Sequence, residues 1–240
     1  MVNFIHTADI HANKERKKIC LAFIEKIKQL AIEKKEKTGV LPKILIAGDF
    51  FHSMLSNTES SGFYDYLKAM KDLNETAPVF IVTGTPSHDV TSSLKPFKLL
   101  GIKVYENFTF EEFEDFELVA LPEPRKSWVS KDAKSYKEIN EYLVNEINNF
   151  ISSLPDKKKP RIVLGHGDVI GAVYQNGVSA TSPIAFSKSQ LEKINADYYA
   201  FGHIHNPQKV NGISNCYYAG SLANGFGETH ESGVYYVEVK

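Results

Sequence analysis

Six of the eight histidines in this chain sit in five short motifs with acidic residues or glycines, and most of those motifs follow an apolar run of strand type. In order they read Asp9-Ile10-His11, Gly48-Asp49-Phe50-Phe51-His52, Gly84-Thr85-Pro86-Ser87-His88-Asp89, Gly165-His166-Gly167 and Gly202-His203-Ile204-His205. The runs are Phe4-Ile5, Ile44-Leu45-Ile46-Ala47, Val79-Phe80-Ile81-Val82, Ile162-Val163-Leu164 and Tyr198-Tyr199-Ala200-Phe201. Strands of one open α/β sheet deliver their C-terminal loops to a single edge, where ligands bind. Carboxylates and imidazoles converging there would form a metal site, and their number suggests two ions.

Composition narrows the class without naming a substrate. At 240 residues, 42% apolar and 24% charged, the chain is long enough to bury a sizeable core as an ordinary globular protein. A net charge of −1 gives no global drive toward nucleic acid or anionic membrane, so any such affinity must be local. No run of 18 apolar residues is present, and Met1 leads straight into the first strand and motif, so a cytoplasmic protein complete at its N-terminus is expected. Cys20 and Cys216 lie far apart and outside the motifs, and are expected as reduced thiols in a helix and a strand.

Along the chain, strands alternate with helical stretches in the first half. A strand at 2–6 precedes an amphipathic helix at about 14–37, with Ile19, Phe23, Ile27, Leu30 and Ala31 apolar. Further helices are expected at about 58–74, around Ser93-Leu94-Lys95-Pro96, and at about 135–153. From Asp197 onward short strands with tight turns at Asn211-Gly212 and Ser232-Gly233 take over. This order predicts an α/β fold, two mixed sheets packed together with helices outside them, in a single domain over residues 1–240.

Asp-x-His at a strand end puts both side chains on one face, where they can share a cation. Gly48 lets the backbone turn close to the site, and the Asp49 carboxylate can bridge two cations with its two oxygens. Two imidazoles two residues apart beside a glycine, as in Gly202-His203-Ile204-His205, are the most specific of the five signals.

This motif set resembles the calcineurin-like metallophosphoesterases, and more closely the SbcD-type double-strand-break nucleases. The closer likeness rests on Gly48-Asp49-Phe50-Phe51-His52, on residues 197–205, and on Tyr218-Ala219-Gly220-Ser221-Leu222 followed by Phe226-Gly227-Glu228 and a last strand from Val234 to Val239. The resemblance implies a four-layer αββα sandwich and metal-dependent hydrolysis of phosphate esters, here phosphodiester bonds of DNA. It implies Asp9, His11 and His205 on a first metal, His166 and His203 on a second, and Asp49 between them. His88 would be the catalytic histidine and His52 a further nuclease-type residue near the scissile phosphate. A mixed oxygen and imidazole set suits manganese, iron or zinc better than calcium, and two divalent manganese ions are expected. His88 needs reach and a proton, which imidazole supplies near neutral pH. Asp89 would then either orient the His88 ring or cap the next helix.

One departure bears on the second ion. The family usually has Gly-Asn-His-Asp or Gly-Asn-His-Glu, with the asparagine carbonyl on the metal; here two residues are inserted and Ser87 precedes His88. Serine is a poorer ligand, and Thr85 or a backbone carbonyl is the alternative. Two rival readings stay open: a phosphoesterase for a small nucleotide or phosphoprotein, and an interaction subunit with a weakened second site. As partners, weakly bound DNA is expected, with room for an SbcC-type ATPase subunit and a homodimer, and no membrane. The segment 14–37 has nine basic and four acidic residues, and a solvated helix face accounts for it better than a DNA contact. His6 and His230 are given structural or surface roles. Trp128 is read as a loop residue, with base stacking the less favoured role.

Overall fold

The computed structural model describes residues 1–53, 62–89, 91–125, 128–129, 135–222 and 233–240. Two mixed sheets stack face to face. The first has five strands, β11 (Tyr235–Val239), β1 (Val2–Thr7), β2 (Lys43–Ala47), β3 (Val79–Val82) and β4 (Lys103–Tyr105), in that order. The second has six: β5 (Thr109–Glu112), β6 (Glu117–Leu121), β7 (Arg161–His166), β8 (Tyr198–Gly202), β10 (Cys216–Tyr218) and β9 (Gln208–Lys209). The central strands of each run parallel, and only β11, β5 and β9 are antiparallel to their neighbours. The central strands are covered on both faces, which is why they read as continuous apolar runs rather than as alternating patterns.

Three apolar layers hold the stack. Phe4, Leu45, Ala47, Phe80, Leu118, Ala120, Ile162, Leu164 and Ala200 fill the space between the sheets. Outside the first sheet, α1 (Lys17–Thr38), α2 (Phe63–Thr76) and α3 (Thr91–Leu99) bury Cys20, Ile24, Met70, Leu73 and Phe97 against Ile44, Ile46 and Ile81. Outside the second, α4 (Tyr136–Ser152) and α5 (Lys188–Ile194) bury Ile147, Ile151, Leu191 and Ile194 against Val119, Val163 and Tyr199. The expected αββα sandwich is therefore the fold found. Among the described residues no helix is long and apolar enough to cross a membrane.

Local chemistry sets the helix ends. Ser135 and Glu138 close a reciprocal capping box at the start of α4, and Ser187 and Gln190 do the same for α5. Gly39, in the left-handed region, stops α1 by returning its N–H to the Lys35 carbonyl. The buried face of α1 is Cys20, Ile24, Ile27 and Ala31, rotated from the expected stripe so that Ile19 stands 57% exposed. Apolar residues at 19, 20, 23, 24 and 27 make two overlapping stripes, and packing against the sheet chose between them. The short α5 and β9 are too brief to leave a clear period in the sequence. The expected start of α2, the Phe226-Gly227-Glu228 signature, His230 and the Ser232 turn lie outside the described residues.

His6, Cys20 and Cys216 take the structural places expected of them. The His6 ring spans the two sheets, with Nδ1 3.0 Å from the Tyr198 hydroxyl and Nε2 3.2 Å from the Phe201 carbonyl. Both thiols are free and buried. Trp128 packs edge-on against Phe108, a structural contact.

Where β6 and β7 begin, at the end of the sheet away from the histidine motifs, one charged pair is buried. Arg161 Nε donates to Glu117 Oε2 at 2.7 Å, and its other nitrogens reach the Ile194 and Pro155 carbonyls. Both side chains are almost wholly enclosed. Glu117→Gln would leave the guanidinium buried without its counter-charge, and removal of one partner of such a pair destabilises by about 3 kcal/mol. Urea unfolding followed by circular dichroism should show that loss; unchanged stability would mean that the carbonyls alone satisfy Arg161.

Candidate metal centre

All six motif histidines lie on loops or strand ends at the C-terminal edges of the parallel strands of both sheets. β1 runs into Asp9 and His11, β2 into Asp49 and His52, β3 into Thr85 and His88, β6 into Glu123, β7 ends on His166, and β8 delivers His203 and His205. The β1 and β2 loops stay zipped beyond the sheet: Asp9 N–H donates to the Gly48 carbonyl, His11 N–H to the Asp49 carbonyl and His52 N–H to the Ala12 carbonyl.

Four of the site residues hold backbone conformations that L side chains rarely adopt. Asp9, His11 and Asp49 have φ of 50°, 48° and 48°, and His203 has φ of 103°. Each such residue costs on the order of 1–3 kcal/mol and persists only where the surroundings enforce it. Two glycines permit the crowding. A Cβ at Gly202 would collide with the Ala47 carbonyl of the opposite sheet, and one at Gly48 with the His166 ring.

The side chains gather into connected groups whose ligand atoms lie within 4.8 Å of one another: Asp9, His11 and His205; Asp9, Asp49 and His166; Glu123, His166 and His203; and His11, His52 and His88. His166 Nδ1 lies 2.8 Å from the Ala47 carbonyl, to which it can only donate, so Nε2 is the nitrogen that turns inward, 3.5 Å from Asp49 Oδ2 and 3.8 Å from Glu123 Oε2. His11 Nε2 and His205 Nε2 face each other at 3.1 Å, which needs a proton or a cation between them. His88 donates through Nδ1 to the His52 carbonyl, so its Nε2 is left for chemistry.

The charges carry the same requirement. Burial opposes charge on His166, yet Asp49, Asp9 and Glu123 around it push its pKa up to about 10. Burial also raises Asp49, but His166, His11 and His88 outweigh it and hold that carboxyl below the usual range. Asp9 is driven well above the usual range by its complete burial, with the nearby Asp49 adding to the effect. Burial holds His11 down at about 3, so that it stays a neutral nitrogen donor. Carboxylates buried this tightly among imidazoles favour positive charge in their midst, as a proton on His166 or as a bound cation. Divalent cations with mixed oxygen and nitrogen preference fit that donor set.

Ser87, Thr85, Glu123 and Asp89 bear on points that the sequence left open or did not signal. Pro86 and Ser87 loop outward and are exposed, so of the candidates left open for the place next to the second group Ser87 does not take it. Thr85 does: its N–H donates to Asp49 Oδ1 at 2.6 Å, and its hydroxyl lies 3.2 Å from Asp49 Oδ2, 3.0 Å from Glu123 Oε2 and 3.4 Å from His166 Nε2. Glu123 escapes sequence reasoning. Its only signal is a carboxylate between two prolines directly after the apolar β6 run. Asp89 neither orients the His88 ring nor faces the groups; its carboxylate accepts from Phe51 N–H and Gly84 N–H and so ties the β2 and β3 loops together.

Comparison with known proteins identifies the family. The family model for calcineurin-like phosphoesterase matches residues 2–207. No curated protein sequence matches the chain. Among solved structures, the chain is similar to GAP50, the anchor in the inner membrane complex of Plasmodium, with a TM-score of 0.53 and 18% identity over 98% of this chain and 77% of that one. At that identity the likeness concerns the fold alone.

Glu123 is the newcomer to the set and the most direct handle on it. Glu123→Gln should weaken the weaker of two manganese sites by about tenfold or more in calorimetric titration, while sparing the other. An unchanged two-site isotherm would remove Glu123 from the donor set.

Proposed function

This chain belongs to the calcineurin-like phosphoesterases, and on that premise we propose that it is a two-metal phosphodiesterase whose substrate is DNA. Asp9, His11 and His205 would hold one ion, His166, His203 and Glu123 the other, with Asp49 between them. Thr85 supplies an oxygen where family members have asparagine. Two bound divalent ions would activate water and neutralise the charge that builds on the phosphoryl group. The protein's own part is positioning and proton handling. His88 presents Nε2 to the site and can hand a proton to the departing oxygen, and its ring is held by the His52 carbonyl. The crossed hydrogen bonds of the β1 and β2 loops keep Asp9, His11 and Asp49 in their strained conformations before any substrate arrives.

The observation that carries the diester reading is the third histidine group. His52 and His88 have ring centroids 5.3 Å apart and sit 5.7 Å and 4.8 Å from His11, next to the first-ion donors. A phosphodiester has a bulky, poorly leaving alkoxide, for which a second imidazole beside the first has use; an activated monoester needs less help. Manganese, iron and zinc all suit the donor chemistry, and manganese is the ion proposed. The modest net charge favours the small-molecule alternative. An interaction subunit is the further alternative, suggested by the likeness in fold to GAP50, itself an anchor.

Purified protein with manganese should cleave linear DNA and bis-para-nitrophenyl phosphate faster than the para-nitrophenyl monoester. DNA affinity should fall steeply as salt rises. Preference for the monoester would move the assignment to a general phosphoesterase, and no hydrolysis of any of the three to an interaction protein.

His88→Gln should keep its metal by elemental analysis and lose turnover by roughly 10²–10⁴-fold, the effect of losing an acid–base group. Loss of metal would instead make His88 a ligand. His52→Ser should reduce DNA cleavage more than cleavage of the activated small diester.

A further inference from the structure

The inner-facing nitrogen of His166 is fixed by a backbone carbonyl, but the strained backbone of His203 does not by itself set that ring's tautomer. Two residues outside the assigned set address it. Asp168, two positions after His166 and nearly buried, accepts a hydrogen bond from the Tyr174 hydroxyl at 2.6 Å. Asp168 Oδ1 lies 3.6 Å, and the Tyr174 oxygen 3.5 Å, from His203 Nε2. Because the Tyr174 proton is committed to Asp168, both atoms facing Nε2 are acceptors. Nε2 therefore carries the proton, and Nδ1, 3.9 Å from Glu123 Oε2, keeps its lone pair toward the second group.

Tyr174 is itself held firmly. It sits in a small hairpin where its N–H donates to the Val178 carbonyl and Ala180 N–H to the Ala172 carbonyl. Gln208 clips the neighbouring Val173 from the start of β9, accepting from its N–H at 2.9 Å and donating to its carbonyl at 2.7 Å.

We propose that Asp168 and Tyr174 are positioning residues that lock His203 with the proton on Nε2, so that Nδ1 is the donor toward the second ion. The hairpin braced by Gln208 is then a structural determinant of second-ion affinity. The metal part of this inference rests on the phosphoesterase reading; the tautomer part does not.

The arrangement makes an unusual forecast for paired substitutions. In Asp168→Ala the Tyr174 hydroxyl loses its acceptor and can turn its proton to His203 Nε2. That would drive the ring to the wrong tautomer, with the proton on Nδ1. Adding Tyr174→Phe removes that donor, so the double variant should recover part of what the single one loses. Tyr174→Phe alone should do little, since the Asp168 carboxylate still faces Nε2 at 3.6 Å.

Nitrogen-15 imidazole spectra of the metal-free full chain should show His203 protonated on Nε2 in the wild type and shifted toward Nδ1 in Asp168→Ala. Manganese titration of the same proteins should show the weaker site reduced roughly ten- to hundred-fold in Asp168→Ala, the range for lost outer-shell partners. The double variant should lie between, and the tighter site should stay unchanged throughout. A wild-type ring protonated on Nδ1, or a double variant as poor as or poorer than the single one, would overturn the proposal. The wild-type spectrum decides the first point even if a variant misfolds. A wild-type protein that binds no manganese would overturn the hydrolase reading and leave the tautomer assignment standing.

Discussion

The hydrogen bond from His166 Nδ1 to the Ala47 carbonyl joins the two halves of the sandwich where the site lies. It runs from the last residue of β7, in the second sheet, to the last residue of β2, in the first. Side chains any bulkier than a hydrogen at Gly48 or Gly202 would push the sheets apart there. The close approach has two results. It brings the carboxylates of the first sheet, Asp9 and Asp49, against the imidazoles of the second, and it fixes which nitrogen of His166 faces them. The distances between the first-sheet carboxylates and the second-sheet imidazoles follow from that contact between layers.

Bringing those groups together is unfavourable in itself. Two carboxylates and several imidazoles lose water together, and four residues accept left-handed backbone. The apolar layers and the crossed loop hydrogen bonds supply the compensating stability, which is why the site stands on strand ends rather than on free loops. The elevated His166 pKa and the raised Asp9 pKa have a common origin: each reports a group whose surroundings ask for a positive charge that the protein does not itself provide. A proton can meet that need in part. A divalent ion meets it better, since it satisfies oxygen and nitrogen donors at once.

Much of this was legible in the sequence, for a physical reason. Buried parallel strands must be apolar throughout, and residues just past their ends must turn and face the site, so apolar runs followed by Asp, Gly and His pointed to both fold and clustering. What stayed open or went unnoticed lay where adjacency in sequence says little about placement. Ser87 precedes His88 but points outward with Pro86, and Thr85 next to Gly84 takes the inner place. Glu123 has no histidine or glycine beside it to draw attention, and only the pairing of β6 with β7 shows that its loop opens on the site. Asp168 lies one residue beyond a motif read as ending at Gly167. For α1, two apolar stripes of similar strength left the buried face to be chosen by tertiary packing.

The central claim is that two cations sit between the sheets, in the donor sets anchored by Asp9 and by Glu123. Crystals soaked in manganese and measured near its absorption edge would test this directly through the anomalous difference map. Two peaks roughly 3.5–4 Å apart are expected, the separation typical of two-metal hydrolases. One should lie among Asp9, His11 and His205, the other among Glu123, His166 and His203, with Asp49 between them. A single peak, or a peak held by His11, His52 and His88 in place of either, would contradict the account.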